Sequence, residues 1–141
     1  MRNEVHIDFT IADFEDITHN DISDRLGIVP KKKLYKGARK SPTSNSSALI
    51  TRNRWIMGSG LDQYSTFEEQ MNSLLDIIEP KIDLLRPFCE KYYCEFSCAI
   101  FIYNENGEST PSVHLNARYN RIIRELDIEL DIDLYCLCGK E

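Results

Sequence analysis

"VHIDFTI", Val5 to Ile11, alternates without a break. Val5, Ile7, Phe9 and Ile11 point one way and His6, Asp8 and Thr10 the other, the period-two pattern of a strand with one face buried. The pattern returns at the end of the chain in "IELDIDLYCLC" (128–138), where Ile128, Leu130, Ile132, Leu134 and Cys136 form one face and Glu129, Asp131, Asp133 and Tyr135 the other. Between them "YCEFSCAIFIY" (93–103) is apolar on both faces, as a central strand requires. "ALITRNRWIM" (48–57), ended by "GSG", supplies a further strand and the only tryptophan, Trp55. Two one-sided strands imply a sheet covered by helices on one face only.

Three helical segments separate these strands. "DITHNDISDRLGI" (16–28) reads as a short helix capped at Asn20 or Asp21 and closed by Gly27, with Pro30 preventing continuation. In "STFEEQMNSLLDIIEPKIDLLRPFCEKY" (65–92), Thr66 and Glu69 have capping-box spacing, and Phe67, Met71, Leu74, Leu75, Ile78, Ile82 and Leu85 form one stripe. Pro80 should kink this helix or start a second one. "HLNARYNRIIREL" (114–126) places Leu115, Tyr119, Ile122, Ile123 and Leu126 at helical spacing. The order strand-helix-strand-helix-strand-helix-strand predicts an α+β, ferredoxin-like sandwich. Its four-stranded sheet has the first and third strands central and helices 20–26, 66–90 and 117–126 on one face.

The 141 residues fit one domain, 1–141. No run is long and apolar enough for a membrane helix, and "MRNEVHIDF" lacks the apolar core of a signal peptide, so the expected setting is the cytoplasm. Five cysteines, an odd count, fit free thiols there.

The net charge of −6 conceals a strong asymmetry. From Arg25 to Leu61 there is no acidic residue but nine basic ones: Arg25, Lys31, Lys32, Lys33, Lys36, Arg39, Lys40, Arg52 and Arg54. The remainder holds 8 basic against 23 acidic side chains, a net of −15. Gly37, Pro42 and the serines of 41–47 predict an irregular, mobile basic arm over 31–40.

"DISDRLGIVP", "YKGAR", a lone Trp55, a capped helix carrying Pro80 and the terminal "LDIDLY" together resemble the bacterial family of domains of unknown function numbered 4279. The resemblance runs over nearly the whole chain and implies a single small α/β domain. It transfers no catalytic residue and marks Ser23, Gly27, Pro30, Gly37, Trp55, Asp133 and Tyr135 as pattern positions.

No GxSxG, HExxH, P-loop or GxGxxG pattern is present, so neither a nucleophile nor a cofactor is expected. His6, His19 and His114 are read as surface residues. Cys94 and Cys98 with Cys136 and Cys138 could in principle hold zinc, but the spacing favours small buried thiols and no metal. Glu129, Asp131 and Asp133 share a strand face, joined by Asp8 if the first strand pairs with the last. The plainer reading is a solvated face, the sharper one a carboxylate metal site. The candidate partner- or anion-binding residues are Lys36, Arg39, Lys40, Arg52 and Arg54 on the basic side and Asp131 and Asp133 on the acidic side. The expected function is a non-enzymatic binding protein, of the kind that blocks a protein partner as immunity proteins block toxins. The alternative is a phosphorylated small molecule or RNA held by the basic 31–54 segment, with nucleic acid disfavoured by the net negative charge. A carboxylate-metal hydrolase ranks last.

Overall fold

The computed structural model describes residues 1–138. The elements are β1 (Glu4–Ala12), α1 (His19–Leu26), β2 (Lys32–Leu34), β3 (Arg54–Gly58), α2 (Phe67–Ile78), a 3₁₀ turn (Glu79–Lys81), α3 (Ile82–Lys91), β4 (Tyr93–Tyr103), α4 (Ala117–Glu125) and β5 (Glu129–Leu137). The fold is α+β, with one five-stranded mixed sheet in the order β2-β3-β1-β4-β5.

The alternation of β1 is realised as read. Val5, Ile7, Phe9 and Ile11 lie in one core with Trp55 and Met57 of β3 and Cys94, Phe96, Cys98 and Ile100 of β4. All four helices enter the same core, through Ile22 and Leu26, Leu74 and Leu75, Leu85 and Phe88, and Tyr119 and Ile122. The helices therefore share one face and the other face of the sheet is open.

The four-stranded ferredoxin-like layout is corrected in two respects. First, the basic arm contributes a fifth strand: Lys32–Leu34 pairs antiparallel with β3, and Arg39 and Leu49 form an isolated bridge. The outer backbone groups of β3 need partners, and lysine is a common residue on such edges. Second, β5 runs parallel beside β4, where a ferredoxin-like sheet is antiparallel throughout; both strands flanking β1 are antiparallel to it, as that layout requires. A split βαβ arrangement would separate β4 from β5; here α4 connects immediate neighbours. β1 and β4 are nonetheless interior strands, as expected.

Local signals explain the helix ends. Thr18, rather than Asn20 or Asp21, caps α1: its hydroxyl accepts from the Asp21 amide while the Asp21 carboxylate accepts from the Thr18 amide. Gly27 closes α1 at φ 67°, a left-handed conformation that favours glycine. The Thr66–Glu69 capping box forms as read. The long helical segment breaks at the 3₁₀ turn holding Pro80, and α3 begins two residues later. Trp55 is buried, and its indole N–H donates to the Ser23 hydroxyl of α1 at 3.0 Å.

Gln70 solves a further problem. β3 pairs with β1 only from Asp8 to Ala12, so the start of β1 lacks a strand partner on that side, where only the Val5 N–H finds a backbone acceptor, the Gln63 carbonyl at 2.9 Å. The buried Gln70 amide replaces the missing strand, accepting from the Ile7 N–H at 3.2 Å and donating to the carbonyls of Val5 (2.6 Å) and Ser65 (2.9 Å).

Acid sensitivity follows from the loop after β1. Lys91 and the Tyr92 hydroxyl both donate to Asp16 at 2.6 Å and hold its carboxyl down to about 2, below the ordinary 3.8. Arg52 lowers Asp13 in the same direction. A depressed carboxylate favours the folded state above its unfolded pKa and loses that contribution as pH falls through the folded value. The thermal midpoint should thus fall from about pH 5 to about pH 2. Asp16→Asn should flatten that slope, which thermal melts across the range will measure; an unchanged slope contradicts the assignment.

Candidate functional site

The open face of the sheet divides by charge. Its β2–β3 side is cationic. Lys32 stands opposite Ile56 and Leu34 opposite Arg54, so Lys32, Leu34, Arg54 and Ile56 share this face. Lys40 returns from the following loop, tied by the Lys40 N–H to the Ala48 carbonyl at 2.9 Å. A pocket of about 340 Å³ results, lined by Lys32, Leu34, Lys40, Ile50, Thr51, Arg52 and Arg54. Arg52 is fixed there: its Nε and Nη2 donate to the Asp13 carboxylate at 2.7 and 2.8 Å, and its guanidinium lies 5.2 Å from the centre of the Tyr93 ring. The side chains of Lys32, Lys40 and Arg54 make no hydrogen bond or ion pair among the described residues.

The rest of the basic arm is docked and not free, contrary to the expected mobile segment. Lys31 donates to Asp8 at 3.0 and 3.3 Å, Lys33 to the Asn20 side chain at 3.3 Å and Lys36 to Glu15 at 3.1 Å. The Lys31 stem crosses Gly58 so closely that a Cβ there would meet Lys31 Cδ at 2.8 Å. Arg39 donates to the Ser47 carbonyl at 2.8 Å. Of the sequence candidates, Lys40, Arg52 and Arg54 are brought together, while Lys36 and Arg39 point to other work. Lys32 and the floor residues Leu34 and Ile50 were missed, because nothing in "KKKL" signals a strand until β3 offers its edge.

The β4–β5 side is acidic. In register, Glu95 lies beside Glu129, Ser97 beside Asp131, Ala99 beside Asp133 and Phe101 beside Tyr135. Glu129, Asp131 and Asp133 are exposed and form no ion pair among the described residues. Asp8 does not join them: it is paired in register with Ser97, which separates it from Asp131, and it is held by Lys31. At the end of this row Tyr135 stacks on Phe101 with ring centres 4.8 Å apart, and His6 meets Phe101 edge-on at 5.6 Å. β5 is an edge strand of nine residues, and Leu134 is 63% and Tyr135 43% exposed.

Other titratable groups serve structure. His19, expected at the surface, is 5% exposed; its Nε2–H donates to the Leu34 carbonyl at 2.8 Å between the rings of Phe14 and Tyr35. It thereby clasps β2 to α1. Cys94 and Cys98 are buried on the helix side, and burial pushes the Cys98 thiol up to about 12. Cys136 lies beside Ile102, four register positions beyond Cys98, so the thiols do not converge. Among the described residues no group of three or more His, Cys, Asp or Glu could hold a metal ion. Glu95 accepts from the hydroxyls of Tyr93 and Ser97, and the first of these holds the Tyr93 phenol up at about 12. No helix among the described residues is long and apolar enough to cross a membrane.

No curated protein and no solved structure matches this chain. A family model does: Domain of unknown function (DUF4279) matches residues 3–137, nearly the whole length, including the Ser23–Trp55 link and the Asp133–Tyr135 row. The chain belongs to the DUF4279 family.

Proposed function

We propose that the protein is a non-enzymatic binding module that takes a basic protein partner along β5, in the manner of a partner-blocking, immunity-like domain. One observation carries the reading: a nine-residue edge strand bears a row of exposed carboxylates, without ion pairs among the described residues, on one face and exposed Leu134 on the other. An edge strand offers unpaired backbone N–H and C=O groups to an incoming extended segment. The acidic row selects for basic side chains at alternate positions of that segment. Pairing of two β5 edges would set like charges beside each other, which disfavours a second copy as occupant.

The perturbed groups support a binding role over catalysis. Carboxylates held low by Arg52 or Lys91 and thiols raised by burial are tuned away from proton transfer or nucleophilic attack near pH 7. Free thiols, including exposed Cys136 and Cys138, suit a reducing, cytoplasmic setting.

The test is affinity capture from extracts of the cell that makes the protein, with wild type and a Glu129→Lys, Asp131→Lys, Asp133→Lys variant run side by side. Wild type should retain a basic protein that moderate salt releases and the variant should lose it. Equal retention by both baits, or no basic protein on either, contradicts the proposal.

A further inference from the structure

We infer that the pocket between β2 and β3 is a binding site for a phosphate monoester of a small organic molecule, independent of the β5 edge. Four cations converge on it from three stretches of chain: Lys32 from β2, Lys40 from the loop, and Arg52 and Arg54 from the approach to β3 and its first residue. Among the described residues Asp13 is the one carboxylate bonded to any of them, and it engages Arg52 alone. Asp13 and the Tyr93 ring set the Arg52 guanidinium in place, and its Nη1 remains able to donate. Arg54, Lys32 and Lys40 bring further donors that no described side chain uses. A fixed guanidinium beside cations with uncommitted donors suits phosphate oxygens, which accept several charge-assisted hydrogen bonds at once.

The size and floor of the pocket indicate more than a bare ion. About 340 Å³ lies within the range of small-molecule sites, well above the needs of one phosphate group. Leu34, Ile50 and the Thr51 side chain give the organic portion an apolar floor with one hydroxyl. A polyanion fits poorly. The cationic area is bounded on the same face by Glu95, Glu129 and Asp131, roughly two to three strand spacings of ~4.8 Å away. A nucleic-acid backbone crossing the pocket would run onto these carboxylates.

The experiment is a nitrogen-15 amide-shift titration of the full chain with adenosine monophosphate, inorganic phosphate and adenosine as probes. Saturable shifts on Leu34, Lys40 and Ile50–Arg54 are expected with the monophosphate, at an apparent Kd on the order of 0.1–1 mM. Inorganic phosphate should bind more weakly and adenosine should not saturate. Arg54→Ala and, separately, Lys40→Ala should each weaken monophosphate binding about tenfold. Lys40 is exposed on a loop, so its variant tests the site even if Arg54→Ala disturbs β3. The inference is overturned by no saturation up to about 10 mM, by equal shifts with adenosine, or by affinity unchanged in both variants. It is equally overturned if a single-stranded RNA oligomer binds more tightly than the monophosphate with a steep salt dependence, which would assign the pocket to nucleic acid. The β5 lysine variant should bind the monophosphate like wild type, so this site and the β5 reading fail separately.

Discussion

Trp55→Ala should destabilise the protein by about 3–5 kcal/mol, the largest effect of any single substitution considered. Trp55 is fully buried beside its β1 register partner Ile11 and against Ser23 of α1, so alanine leaves a cavity between β3, β1 and α1. The substitution also leaves the Ser23 hydroxyl without its indole donor in the core-facing turn of α1. For a chain of this length the thermal midpoint should drop by roughly 10 °C or more. Trp55→Phe should cost less, because most of the ring volume is kept and only the pyrrole part of the ring, with its hydrogen bond, is lost. Urea unfolding followed by circular dichroism measures both. A denaturation midpoint unchanged in Trp55→Ala would mean that the ring is not part of the core.

The second large effect is expected at Gln70. Gln70→Leu keeps the bulk and deletes the amide that stands in for a missing strand beside the first residues of β1. The Ile7 N–H and the Val5 carbonyl then lose their partners inside the structure. Each buried backbone group left unpaired costs about 1–3 kcal/mol, and the added apolar burial of leucine offsets part of the two, so the variant should lose about 2–4 kcal/mol. Amide exchange at Ile7 should rise more than at Phe9 or Ile11, which β3 and β4 flank. A neutral or stabilising Gln70→Leu would show that water or a rearranged loop replaces the side chain.

These two residues mark what sequence reasoning reaches. The burial of Trp55 was legible, because a lone large aromatic in an apolar strand has few other places to go, but the sequence pointed to the long helix 66–90 as its cover. Its attachment to Ser23 was not, since that bond joins positions 32 apart. Gln70 carried no signal at all; it sits in a helix stripe where its apolar neighbours set the pattern. The interior positions of β1 and β4 and the single helical face were readable from alternation and two-sided apolarity. Strand order was not, because period-two patterns fix which face a residue occupies and say nothing about which strand lies beside it.

The same division applies to the site. Charge asymmetry was visible along the chain, and both its poles lie on the open face. The docking of Lys31, Lys33 and Lys36 was hidden, since Asp8, Asn20 and Glu15 are brought near only by the β2–β3 pairing and α1. Self-docking takes up much of the basic arm and leaves two unspent charged areas, the pocket at β3 and the acidic row of β5. Tyr135 gained meaning only through its register with Phe101.

As proposed, β5 receives an extended basic segment along its outer edge. Amide hydrogen exchange of the complex formed with the captured partner measures this most directly. Alternate amides of Glu129–Leu137 should slow on binding by at least an order of magnitude while those of Lys32–Leu34 stay unchanged. Protection confined to β2, the helices or the loops, with the β5 amides exchanging as in the free protein, would contradict the account.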